Sequence, residues 1–360
     1  MELNNHLKYM QRCLQLATLG NGYVAPNPMV GSVLVHNDRI IGEGYHREFG
    51  KAHAEVNCLD SVKQEDLHLV EQSVLYVSLE PCSHFGKTPP CADMIIKRKI
   101  KQVVIGTRDP FPEVNGGGVE KLLQAGVNVI QGVMEEECRK LNDRFFIFHT
   151  RKRPFVLLKW AQTNDGKIAG ENSRRLKISN DFSNRMVHKW RSEEMGIMTG
   201  TNTALIDDPQ LNTRLWPGKD PVRFIPDLHL RLPHHLNLFT KGQATIVFNL
   251  HQHTIHSGSI HEQSSKGVYY YQVSEDASLV HQVLNALYQL NINSVLIEGG
   301  NQLLQSFIDE GAWDEARVIT NKKMSAHEGL AAPALKNEDL ISVLYLSNDV
   351  IRSYKNTIHY

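Results

Sequence analysis

Apolar Leu7, Met10, Leu14 and Ala17 recur at helical spacing ahead of Gly20, which predicts an opening amphipathic helix. The runs VGSVLV and RIIGEG then flank Asn37-Asp38, a pairing that predicts a β-hairpin. Beyond residue 50 the period switches repeatedly. A helix from about Ala52 to Val62 precedes the strand SVLYVSL, the short helix ADMIIKRK and the strand KQVVIGT. A helix GVEKLLQAG, a strand VNVIQGV and one helix through EEECRKLNDRFFIF follow. Strands alternating with helices predict a mostly parallel sheet covered on both faces.

The stretch from His149 to Pro154 is polar, basic and ends in proline, so a boundary is expected there, between a first domain 1–150 and a second 151–360. The pattern then restarts with the strand FVLLKWA, the helix SNRMVHKWRSEE and the strand GIMTG. Strands around VRFIP, ATIVFN and VYYYQV, the helix LVHQVLNALYQL and the strand SVLIEGG come next. The helix QLLQSFIDEG, the strand ARVIT and terminal strands near SVLYLS close the chain. This is again α/β, with no repeat of the first half, so the two domains are expected to differ in fold and task.

A length of 360 residues agrees with two domains at roughly 150 each. Lys plus Arg and Asp plus Glu both total 39, so the chain lacks the basic footprint of a nucleic-acid binder. With 41% hydrophobic and 22% charged residues it is neither disordered nor collagen-like. No run approaches the ~18 apolar residues of a membrane span, and the start MELNNHLKYMQRC lacks the order of a signal peptide. A cytoplasmic protein without membrane partners is expected. Five cysteines, an odd number, argue for metal binding, catalysis or plain burial over a disulfide framework.

Three cysteines, Cys13, Cys58 and Cys138, fall alone on predicted helices and read as core. The other two keep different company. His53-Ala54-Glu55 is followed by Glu80-Pro81-Cys82 and then by Cys91. Catalytic zinc takes three protein ligands and leaves a fourth position open, and His53, Cys82 and Cys91 supply one nitrogen and two thiolates. Glu55, two residues from the ligand histidine, could reach a water there and move its proton to a leaving amine. This is the zinc deaminase arrangement, whose signature is H-x-E followed by P-C-x-x-C. Here C-x8-C replaces C-x-x-C.

That longer spacing, in PCSHFGKTPPC, together with APNPMVG (Ala25 to Gly31) and GEGYH (Gly42 to His46), resembles the deaminase half of the bifunctional riboflavin biosynthesis deaminase/reductase family. The resemblance covers about residues 3 to 150. It implies a cytidine-deaminase-like fold, zinc on His53, Cys82 and Cys91, Glu55 as proton shuttle, and Asn27 as a contact for the base. The implied substrate is 2,5-diamino-6-(5-phosphoribosylamino)pyrimidin-4(3H)-one, which loses its 2-amino group as ammonia.

The second half has no G-x-G-x-x-G after a strand, so a Rossmann site is not supported. It has Glu298-Gly299-Gly300-Asn301 between a strand and a helix, where two glycines admit a close ligand and a helix N-terminus favours phosphate; an ordinary strand-to-helix turn reads the same way. LKWAQTNDGKIA (Leu158 to Ala169) and MTGTNTALIDDPQLNTR (Met198 to Arg214) resemble the reductase half of the same family, in the same order. That half is similar in fold to dihydrofolate reductase and uses NADPH to reduce the ribosyl group to a ribityl chain. The resemblance implies cofactor contacts at Ala161, Thr203, Asp207 and the run Gly300, Asn301, Gln302, Leu303, Leu304, Gln305 and Ser306. It implies substrate contacts at Ser173, Arg191, Leu211, Arg214 and Glu298. Two guanidinium groups suit a phosphorylated sugar. Lys159, a cation close to the same strand ends, carries no assigned role.

Departures from the family are also visible. Thr163 stands in place of a serine, 170–178 is longer and has no tryptophan, and NKKMSAHEGL replaces a Pro-Lys-Leu-Leu-Gly run. The expected product is 5-amino-6-(5-phosphoribitylamino)uracil, made by a homo-oligomer that binds no nucleic acid. A zinc nucleoside or nucleobase deaminase with a second domain that has lost reduction is the alternative enzyme. A nucleic-acid editing protein would need an aromatic and basic stripe that the chain lacks.

Overall fold

The computed structural model describes residues 3–83, 89–111, 115–240, 242–255 and 267–358. His84 to Thr88 of the PCSHFGKTPPC motif therefore lie outside the described residues. The chain divides into two compact units, Met1–Lys152 and Arg153–Tyr360.

The first unit is built on a five-stranded sheet. Its strands lie in the order Arg39–Tyr45, Gly31–His36, Val74–Leu79, Gln102–Thr107, Asn128–Gln131. Gly31–His36 runs antiparallel to both neighbours, and the last three strands are mutually parallel. The predicted hairpin turns through Asn37 and Asp38, both at positive φ, which suits the small polar side chains placed there. Alternation along each strand serves two cores. Leu75, Val77, Val103 and Ile105 face one with Leu59, Ile95 and Leu122. Val74, Tyr76 and Val104 face the other with Tyr9, Met10 and Leu14 of the opening helix Leu3–Ala17. Cys58 lies in the first core and Cys13 and Cys138 in the second, as expected, and burial pushes the thiols of Cys58 and Cys138 up to about 12.

One helix differs from the sequence expectation. The run EEECRKLNDRFFIF forms two helices, Glu135–Leu141 and Asp143–Arg151. The break falls at Asn142, whose amide accepts from the Met29 N–H at 2.7 Å and donates to the Met29 carbonyl at 2.9 Å. A tertiary hydrogen-bond pair to the Pro26-Asn27-Pro28 turn outweighs continuous helix, in line with asparagine's weak helix preference.

The second unit carries a nine-stranded sheet in the order Val268–Gln272, Thr245–Asn249, Val222–Pro226, Gly196–Met198, Ser294–Glu298, Phe155–Thr163, Glu315–Asn321, Asp349–Asn356, Glu338–Leu346. The strands are parallel as far as Glu315–Asn321, and the final hairpin is antiparallel. Arg153 opens the unit with a buried two-pronged ion pair to Asp314 at 2.7 and 2.9 Å, and Asp314 also accepts from the Val156 N–H. The chain builds the sheet outward from Gly196–Met198 and then returns to insert Ser294–Glu298 beside it. The carboxyl ends of these two strands therefore mark a reversal of strand order, where open α/β sheets form their ligand crevices. Lys167–Ala169 pairs separately with Leu330–Ala331, an element the sequence pattern did not announce.

Candidate active sites

In the first unit, His53 immediately precedes the helix Ala54–Asp60, and Cys91 begins the helix Cys91–Lys97. Cys82 follows the buried strand Val74–Leu79. The Nδ1 of His53 lies 3.5 Å from the Cys82 sulfur and 3.4 Å from that of Cys91, and the three ligand atoms are all within 4.8 Å of one another. The first N–H groups of the second helix fix Cys82 further. Cys91 N–H donates to its sulfur at 3.3 Å and Ala92 N–H to its carbonyl at 3.1 Å. The Cys82 thiol is pulled down to about 4, first by its bond with Cys91 and then by that with His53, while Cys91 is pushed up by the same contact and by burial. One imidazole and two sulfurs sharing negative charge at this separation form a set that fits zinc.

Glu55 lies in the first turn of the helix that His53 precedes, 3% exposed, and burial pushes its carboxyl up to about 7 against the pull of His53. A buried carboxyl near neutrality can both accept and return a proton. Asn27 is linked to the site through His46 of the GEGYH motif. His46 is buried, with its ring centroid 5.5 Å from that of His53. Its Nδ1 faces the Ala52 carbonyl at 3.1 Å and must donate, so Nε2 accepts from the Asn27 amide at 3.3 Å. Burial lowers the His46 pKa and favours this neutral form. The GEGYH motif contained that signal, but nothing in its spacing identified the partner.

In the second unit, Arg191 projects from the helix Asp181–Glu193 onto Glu298, at the end of its strand. Two parallel bonds of 2.8 and 2.7 Å join them, and the third guanidinium nitrogen donates to the Asn212 carbonyl. Lys159, opposite Glu298 in the ladder, adds its ammonium at 3.8 Å. Burial pushes the Glu298 carboxyl up, yet Arg191 and Lys159 outweigh it and hold it at about 2. Arg214 donates to the Asn212 side chain at 2.7 Å, and Leu211 is buried beside it with φ of 50°. Arg191, Leu211, Arg214 and Glu298 are thus gathered. Ser173 lies on the exposed turn Glu171–Ser173, joined to them by no hydrogen bond or ion pair among the described residues.

At the strand-order reversal, Gly299 and Gly300 adopt φ of 73° and 78° and lead into the helix Asn301–Asp309. A Cβ on Gly300 would lie 3.1 Å from the Thr203 hydroxyl, so the two glycines keep a narrow cradle open. Thr199 Oγ1 and Asn301 Oδ1 are buried there without a hydrogen-bond partner among the described residues. Buried polar atoms rarely stay unpaired, so they point to a ligand. Asp207 ends the helix Thr201–Asp207 and faces Arg175 at 3.6 Å, and Ala161 lies on the strand Phe155–Thr163. The expected run divides. Its first residues, Gly300 to Leu303, face the cradle end of the helix, whereas Leu304 is fully buried in the core and Gln305 bonds Ala334 through both side-chain atoms.

Comparison with known proteins agrees with both halves. The cytidine and deoxycytidylate deaminase zinc-binding region matches residues 3–107, and the RibD C-terminal domain matches residues 154–324. The chain is 40% identical over 325 residues to the riboflavin biosynthesis protein RibD of Aquifex aeolicus, covering 90% of this chain and 88% of the relative. The chain belongs to the RibD family. A Thermotoga maritima diaminohydroxyphosphoribosylaminopyrimidine deaminase/5-amino-6-(5-phosphoribosylamino)uracil reductase superposes with a TM-score of 0.85 at 35% identity, covering 98% of this chain and 99% of that one. Acinetobacter baumannii RibD gives 0.87 at 31% identity, covering 99% and 100%. As a member of the RibD family the chain is an enzyme of riboflavin biosynthesis with deaminase and reductase activities.

Two RibD-family departures noted in the sequence meet in space. Asp165, just after Thr163, accepts from the Thr163 hydroxyl at 2.5 Å and from the N–H groups of Ala326 and His327. Thr163 thus keeps a hydroxyl where the family usually has serine and uses it to hold Asp165. The unusual 322–330 stretch is tied to the Thr163–Asp165 turn, and with residues 170–176 it lines a cavity of about 450 Å³. Among the described residues no helix is long and apolar enough to cross a membrane.

Proposed function

We propose that the first unit releases ammonia from 2,5-diamino-6-(5-phosphoribosylamino)pyrimidin-4(3H)-one and that the second reduces the ribosyl group of the product with NADPH, giving 5-amino-6-(5-phosphoribitylamino)uracil. The observation that carries the reading is the convergence of His53, Cys82 and Cys91 with the buried Glu55. These three residues hold zinc. When bound, zinc supplies the Lewis acidity that makes water nucleophilic near neutral pH. Glu55 takes the proton from the attacking water and delivers it to the departing amine. Asn27, oriented by neutral His46 and by the Asn142 clamp on its turn, hydrogen-bonds the pyrimidine edge. The burial of Glu55 keeps bulk water from the proton path.

In the second unit NADPH, when bound, supplies the hydride. Ala161, Thr203, Asp207 and the Gly300 end of the last long helix would hold it, the glycine pair leaving room for a close approach and Thr199 and Asn301 offering unused polar atoms. Arg214 and Arg191 recognise the substrate phosphate and sugar, with Glu298 fixing the orientation of Arg191 and Leu211 packing beside it; Ser173 joins from its exposed turn. The mainly parallel sheet with its antiparallel closing hairpin supports the expected dihydrofolate-reductase-like architecture. The reading includes a cytoplasmic homo-oligomer. The edge strand Glu338–Leu346 is exposed on both faces, with Leu340, Ile341, Val343, Leu344 and Tyr345 outward, an apolar edge that isolated chains seldom leave uncovered.

Purified protein given the diaminopyrimidinone should release ammonia without NADPH and consume NADPH only after deamination. Ammonia release without any later NADPH oxidation would support the alternative of a deaminase with an idle second unit.

A further inference from the structure

Glu80 is 4% exposed and sits two residues before the proposed zinc ligand Cys82. Four backbone N–H groups converge on its carboxylate. Oε1 accepts from Gly118 at 3.0 Å and Val119 at 3.1 Å, and Oε2 from Gly116 at 3.1 Å and Asp109 at 3.3 Å. A buried carboxylate is costly unless its lone pairs are taken up, and here both oxygens are filled twice.

We propose that Glu80 is a positioning residue of the zinc site, clamping the start of the helix Gly117–Gln124 onto Pro81 and Ser83 so that the Cys82 sulfur is held toward His53 and Cys91. The proposal rests on the zinc reading above. Close packing shows where the clamp acts. A Cβ on Gly118 would fall 1.9 Å from the Pro81 carbonyl oxygen, and one on Gly117 would fall 2.8 Å from the Ser83 hydroxyl. The helix start is therefore pressed against the residues on both sides of Cys82. The Cys82 carbonyl and sulfur are meanwhile engaged by the N–H groups of Ala92 and Cys91. Cys82 is gripped between two helix starts, and Glu80 joins it to the second. Ligand-supporting hydrogen bonds of this kind set metal affinity because a sulfur displaced by a fraction of an ångström cannot meet the other ligands at bonding distance.

Glu80→Gln tests this in the full chain. The amide keeps the volume but turns an NH₂ group toward N–H donors. Zinc affinity is measured by competition with a chromophoric chelator, and cobalt(II) is substituted to read the thiolate charge-transfer and d–d bands. Affinity should fall about 10- to 100-fold with a changed cobalt spectrum, while tryptophan-monitored unfolding of the second unit stays as in the parent. Glu80→Asp, which keeps the charge but not the reach, should fall between the two and decides the matter if Glu80→Gln does not fold. A helix cap without a role at the metal would lower the unfolding temperature of the metal-free protein but leave affinity and cobalt bands unchanged in folded molecules, and that result overturns the proposal. Cys82→Ser is run alongside. If it holds zinc as the parent does, the zinc reading itself is wrong, whereas zinc bound through Cys82 with Glu80 variants unaffected removes the positioning role alone.

Discussion

Glu298→Gln separates an electrostatic role from a steric one, because the side chain keeps its shape and loses its charge between Arg191 and Lys159. In the parent, the Glu298 carboxyl is held at about 2 against an ordinary 4.5. A carboxyl with a lowered pKa in the folded state stabilises the fold at every pH above its unfolded value, and this contribution fades as pH falls toward the folded value. The interval from 4.5 to about 2 corresponds to about 3 kcal/mol at neutral pH. This lies at the lower edge of the cost of breaking a buried ion pair, about 3–5 kcal/mol. Of that stabilisation, about 1 kcal/mol is gone by pH 4 and about 2 kcal/mol by pH 3. All four tryptophans, Trp160, Trp190, Trp216 and Trp313, lie in the second unit, so their fluorescence during urea unfolding reads that unit alone. The variant should lose about 3 kcal/mol at pH 7, and the gap to the parent should narrow to about 1 kcal/mol by pH 3, with NADPH oxidation impaired and ammonia release intact. A loss below about 1 kcal/mol, as for an exposed pair, or one equal at pH 7 and pH 4, would refute the electrostatic account.

Three further outcomes follow from the geometry. Cys82→Ser and Cys91→Ser should each lower zinc content, measured by atomic emission, and abolish ammonia release; full zinc in both would exclude the ligand set. Glu55→Gln should keep zinc and fold but slow deamination by about 10²-fold or more, while still oxidising NADPH when supplied with the deaminated intermediate. Asp314→Ala leaves Arg153, 5% exposed, without its two-pronged partner, and should cost the second unit about 3–5 kcal/mol in the same fluorescence assay.

The two halves of the chain were legible to different depths, and the reason is how local the information is. The proposed zinc cluster could be read because each side chain carries its own chemistry and sits at an element end, so His53, Cys82 and Cys91 needed only a parallel sheet to bring those ends together. The reductase cluster has weaker local marks. Arg191 lies mid-helix, Glu298 ends a strand about a hundred residues later, and their two-pronged contact exists only because the sheet doubles back to insert Ser294–Glu298 next to its first strands. Family resemblance supplied those positions where periodicity could not. The same limit explains Lys159, which received no role from sequence until the ladder set it opposite Glu298.

What sequence reading missed in the first unit follows the same rule, and it bears on how the site works. Asn142 looked like an ordinary position within one amphipathic helix, yet its amide stops that helix to hold the Met29 backbone and so places Asn27. His46 looked like one histidine among 18, yet a single carbonyl at Ala52 fixes its tautomer and makes it an acceptor for Asn27. Leu304, within the run expected at the cofactor, turns its side chain into the core as helical periodicity dictates. In each case the decisive partner lies across the fold and is a backbone group or a packing surface, which leaves no residue type for a motif to register. A change at Asn142 should therefore disturb the proposed base contact more than zinc, because it acts through the turn that carries Asn27, whereas a change at His46 should affect both, since its ring also packs against His53.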